Sequence, residues 1–139
     1  MGSYQDGETI LVPDERDVQA PDGSDIRLLL SVKGGGMCHC TLLPQQVSSA
    51  GMHKSVEEIW YCLEGRGQVW RKAGDHESEV ELYAGVCVTI PQHSQFQFRN
   101  TGSVPLRILI VTMPPWPGEQ EWMRVVDHWP VPQERCSVL

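Results

Sequence analysis

A chain of 139 residues, 40% apolar and 21% charged, is long enough for one domain that buries its own core without disulfide or metal staples. Its formal net charge of −7 and pI near 5.1 offer nothing to hold a phosphate backbone or an anionic bilayer, so nucleic acid and membrane are excluded as partners. The opening residues MGSYQDGETILVPDERD have neither a basic n-region nor an apolar run, and the expected compartment is the cytoplasm.

Residues 1–24 read as an N-terminal extension. From residue 25 the chain becomes a series of short β-branched and aromatic runs, each closed by turn residues, with no sustained helical period. Strands are predicted over 25–30 and 37–43, separated by the flexible glycines Gly34, Gly35 and Gly36. The run 58–63 leads into Gly65-Arg66-Gly67, a tight hairpin turn, and returns through 68–71. Further strands are expected over 79–83, 86–90, 95–99 and 106–112, the last ending at Pro114-Pro115. Strands so regularly spaced predict an all-β antiparallel sandwich or barrel spanning 25–113.

Residues 114–139 carry five prolines and three tryptophans. The prolines rule out a regular central strand, and the indoles need apolar surface to cover. The segment therefore reads as an arm packed on the barrel or on a partner, with a short helix over 119–126. Cys38, Cys40, Cys62, Cys87 and Cys136 are odd in number and form no CxxC pair, so they read as space-filling strand residues.

Two blocks carry a family resemblance. Gly51-Met52-His53-Lys54-Ser55-Val56-Glu57-Glu58-Ile59-Trp60-Tyr61-Cys62-Leu63-Glu64-Gly65 resembles the first cupin motif, and the block from Gly85 through Pro91 to Asn100 resembles the second. The resemblance implies the cupin double-stranded β-helix, or jelly roll, and a four-ligand metal site of three histidines and one glutamate. Here only His53 and Glu58 occupy ligand positions, because Gly51 stands at the first histidine and Phe96 at the last. One imidazole and one carboxylate hold a divalent ion weakly, since catalytic zinc or iron normally takes three protein side chains. The expectation is no tightly bound cofactor, or a weakly held divalent metal ion. A third ligand would have to come from His39, on the adjacent run, or from His93.

Alternation along the strands places Glu58, Trp60 and Cys62 on one face and Phe96 and Phe98 on another. These five, with His39, are the expected pocket lining. His53 and Glu58 are the candidate acid–base pair for proton-transfer chemistry on a small organic molecule, of the isomerase, cyclase or lyase type. The alternatives are a metal-dependent cupin using His39, His53 and Glu58, or a non-catalytic binding module. Outward Ile59, Tyr61 and Leu63 predict a homodimer. His76, His93 and His128 are expected at the surface.

Overall fold

The computed structural model describes residues 7–132; Cys136 and the rest of the arm beyond residue 132 lie outside the described residues. Two antiparallel sheets face one another without joining into a closed ring, a jelly-roll arrangement, and the described residues contain no α-helix. One sheet takes β1 (Val18–Gln19), β2 (Asp25–Val32), β3 (Gly35–Leu42), β10 (Leu106–Met113), β5 (Glu57–Glu64) and β8 (Cys87–Ile90), in that spatial order. The other takes β11 (Trp122–Arg124), β4 (Gly51–His53), β9 (Gln95–Asn100), β6 (Gly67–Ala73) and β7 (His76–Leu82).

The expected strands are present, and the differences fall where local sequence is weakest. Lys33 and Gly34 alone turn the chain between β2 and β3, and Gly35 and Gly36 are strand residues rather than a flexible link. β1 pairs with β2 around Ala20-Pro21-Asp22-Gly23, closed by Gly23 N–H donating to Ala20 O over 2.9 Å, with Gly23 at φ 98°. Proline presets the first corner and glycine accepts the positive φ. In place of the helix expected over 119–126 there is one 3-10 turn, Glu119–Glu121, followed by β11. β11 adds itself to β4, in register Trp122↔His53 and Arg124↔Gly51, so its backbone is satisfied by a neighbour rather than by itself.

The main core lies between the sheets and includes Trp60, Phe96, Phe98, Leu82, Ile90 and Ile108. A second, smaller core of Val47, Ala50, Trp70 and Trp129, with Val125 and Val131 against it, sits under the C-terminal tail on the outside of the β6–β9 sheet. Gln97 points outward between Phe96 and Phe98, and the tail covers it. Its amide donates to Ser48 O (2.7 Å) and Trp129 O (2.9 Å) and accepts from the His128 and Trp129 N–H groups (2.9 and 2.7 Å), so all its capacity is used. His128 is half-buried rather than on the surface. It stacks on Trp70 at 4.7 Å and lies 2.6 Å from Glu79.

Candidate functional site

β5 alternates strictly, so Glu58 and Trp60 turn inward while Ile59, Tyr61 and Leu63 turn out. Register places Thr112 of β10 opposite Glu58. The carboxylate is fixed by two donors: Trp60 Nε1–H to Oε1 at 2.9 Å and Thr112 Oγ1–H to Oε2 at 3.0 Å. His53, at the end of β4, meets it with Nε2 3.4 Å from Oε1, close enough to pair but without hydrogen-bond alignment. His53 is only 3% exposed, and neither ring nitrogen has a hydrogen-bond partner among the described residues. Phe96 lies against it at 5.0 Å and the Trp116 indole meets it edge-on at 5.5 Å.

These groups line a cavity of about 790 Å³, within the range that takes a small organic ligand. Trp60, Phe96, Phe98 and Ile110 form part of its apolar wall. Trp116 and Trp122, from the segment after β10, contribute to the wall as well. The Trp122 indole N–H is buried without a partner among the described residues.

Sequence reasoning missed several contributors, Thr112, Trp122 and Asp22 among them. Thr112 carries no signal, because which strand lies opposite Glu58 is a matter of long-range register. Trp122 is brought in by a three-residue strand too short to read. Asp22 was placed in the extension, yet it lines the cavity from the β1–β2 turn. Its Oδ1 accepts from Ser24 N–H (3.0 Å) and Ser24 Oγ–H (2.7 Å), and its carbonyl accepts from Ser49 N–H at 2.8 Å. Pro-Asp-Gly is a turn signal, and it was there to be read. Burial raises the Asp22 pKa; the Ser24 donors oppose this, and nearby Glu58 adds to it.

Residues 38–112, more than half of the chain, match the family described as a cupin domain. The chain is a cupin. An uncharacterized protein of Methanocaldococcus jannaschii, MJ1618, is 36% identical over 103 residues, which is 70% of this chain and 79% of that one. Among solved structures, a predicted oxalate decarboxylase of Thermotoga maritima superposes with TM-score 0.61 at 21% identity, covering 75% of this chain and 98% of its own. The nucleoside dehydratase Pac13 does so with TM-score 0.65 at 12% identity, covering 85% and 92%. At these identities the two structures share the fold.

The cupin metal positions can now be tested against the side chains that fill them. A Cβ added to Gly51 would come closer than 3.0 Å to ring atoms Cε2, Cζ2 and Nε1 of Trp122, so the indole stands where the first histidine would be. Phe96 fills the last position. Nor do the described residues supply a third ligand elsewhere. His39 sits on the β3 face opposite the cavity, with Arg27 and Arg107 near it, and it is Cys38 and Cys40 that line the cavity. Burial, then the two guanidiniums, holds the His39 pKa below its usual value. His93 is an exposed turn residue with φ 70°. Among the described residues no three of His, Cys, Asp and Glu are grouped to hold a metal ion. The described residues do not fit the family's metal, since neither His39 nor His93 lines the cavity.

Of the other expected pocket residues, Trp60, Phe96 and Phe98 line the cavity, whereas Cys62 is buried in the core away from it, its thiol directed at Glu64 O over 3.7 Å. Burial pushes the Cys38 thiol up to about 12, with Glu58 and Asp22 adding to the effect, and Cys40 is raised well above its usual value for the same first reason. Both therefore face the cavity as neutral thiols rather than thiolate nucleophiles.

Proposed function

We propose that this cupin is an enzyme moving a proton within a small organic molecule held in the barrel, by isomerisation, cyclisation or elimination. His53 and Glu58 are the acid–base pair. The observation that carries this reading is the His53 ring, buried with both nitrogens unpartnered among the described residues, beside a carboxylate locked by Trp60 and Thr112. A buried imidazole left unsatisfied costs free energy that a bound ligand recovers. The 3.4 Å separation suits a pair that closes when substrate arrives. Glu58→Gln keeps the shape and, with its oxygen toward Trp60 Nε1–H, one acceptor, while its NH2 can donate to Thr112 Oγ1 once that hydroxyl rotates. Turnover of the cognate substrate therefore falls by about 10²–10⁴ with a small change in melting temperature. Unchanged turnover removes Glu58 from the mechanism.

A binding module without turnover is the second reading, favoured by the fact that both Glu58 oxygens already accept hydrogen bonds. In that case the Glu58→Gln protein binds the ligand as before and the wild type consumes none of it.

The working unit is a cytoplasmic homodimer. Ile59, Tyr61 and Leu63 are 39%, 44% and 38% exposed in a row on β5, next to exposed Cys87 of β8, and a second copy laid on that face would cover them. Light scattering at micromolar concentration should give twice the chain mass; a monomer overturns the dimer.

A further inference from the structure

Charge around the cavity is one-sided. Two carboxylates, Asp22 and Glu58, and the His53 imidazole line it, and no lysine or arginine does among the described residues. The nearby guanidiniums are spent elsewhere: Arg27 donates to Pro13 O and Asp14 O, Arg107 pairs with Glu64, and Arg99 lies over Trp129. Glu58 has both oxygens engaged, whereas Oδ2 of Asp22 accepts no hydrogen bond among the described residues. An anion entering here would lose its water beside two carboxylates with no counter-charge, whereas a cation would find one waiting. The aromatic wall adds to the same preference, because ring faces attract organic cations and stack on planar rings. The Trp122 N–H and both His53 nitrogens remain to meet polar atoms on the ligand.

We propose that the cavity takes an organic cation, a planar ring bearing a protonated amine, with the amine against Asp22 and the ring against the tryptophan and phenylalanine wall, and that it rejects carboxylates and phosphates. This rests on the barrel being the small-molecule site; it names the substrate class and makes Asp22 the residue that sets it. Three probes share one ring and differ only in charge: tryptamine is a cation, tryptophol neutral, and indole-3-acetate an anion. By isothermal titration calorimetry at neutral pH, tryptamine should bind at least tenfold more tightly than tryptophol, and indole-3-acetate should give no binding heat at millimolar concentration. Asp22→Asn keeps an oxygen for the two Ser24 donors and removes the charge. In this variant tryptamine should fall to the affinity of tryptophol, while unchanged tryptophol binding shows that the cavity is intact. Equal binding of all three probes, preference for the acetate, a tryptamine preference that survives Asp22→Asn, or no binding by any probe overturns the proposal. The acid–base reading fails separately, since it is read by turnover in Glu58→Gln and not by charge preference.

Discussion

Gly51→Ala lowers thermal stability almost as much as Gly51→His, because the collision with Trp122 begins at Cβ. Overpacking of this kind costs about 1–3 kcal/mol, and the indole cannot yield cheaply while β11 holds it on β4. Replacing Gly51 and Phe96 with histidine therefore does not restore the family's metal site; the double variant loses stability and shows no metal-dependent shift in melting temperature. Removing the obstruction as well, with Gly51→His, Phe96→His and Trp122→Ala together, sets three imidazoles beside Glu58. Zinc at ~100-fold above its Kd should then stabilise that protein by about 2.7 kcal/mol relative to its own metal-free form. The wild type should not respond. A metal shift in the double variant would show that the indole is no obstacle. Stoichiometric metal in the wild type, kept through prolonged chelation, would show that the half-empty site is misread.

Glu121→Ala should cost about 3–5 kcal/mol, read from denaturant unfolding with the slope unchanged. The Glu121 carboxylate is buried and accepts from Ser55 N–H (2.7 Å), Ser55 Oγ–H (2.6 Å) and Val56 N–H (2.9 Å), fastening the segment after β10 to the β4–β5 turn. Its removal leaves two backbone donors without partners, one at a fully buried residue. Burial alone would raise the Glu121 pKa, but the Ser55 hydroxyl and the two N–H donors outweigh it and hold the group below its usual value. The folded state thus binds this proton less tightly than the unfolded chain. The stabilisation is complete above the unfolded value of about 4.3 and is lost as pH falls through the lower, folded one. Glu121→Gln should flatten stability against pH in that acidic window; an unaltered profile would mean the clamp contributes nothing.

What was legible in the sequence follows from the reach of each signal. β5 could be read to within one residue at each end, because strict alternation fixes which side chains turn inward; Glu58, Trp60 and Cys62 do, although Cys62 lies in the core beyond the cavity. The glycine turns marked where strands end, and the two motif blocks carried the resemblance that implied the jelly roll, while the spatial order of the strands came only with the structure. His39 failed on phase: alternation says that it opposes Cys38 and Cys40 but not which face is inner. The apolar parity of Cys38, Cys40 and Leu42 would have decided it, since Cys40 and Leu42 are core. Trp122 over Gly51 and Thr112 against Glu58 join residues far apart in the chain, and no local pattern reports such pairs. Asp22 lay within reach, in a Pro-Asp-Gly turn that joins two strands, one of them only two residues long.

The fastening by Glu121 and the tail cover over Gln97 also set an order of events during synthesis. Both belong to residues made after every strand from β1 to β10. Until Glu121 emerges, the Ser55 and Val56 donors have only water, and until residues 128 and 129 emerge, Gln97 has Ser48 O alone of its four partners and the Trp70 face lacks Trp129 and the His128 ring. A nascent chain with all its earlier strands paired therefore still presents a wet polar amide and an apolar patch to its surroundings. Completion comes from residues 121–129, so a stall before they emerge leaves a nearly finished sandwich that is prone to sticking rather than an unfolded chain.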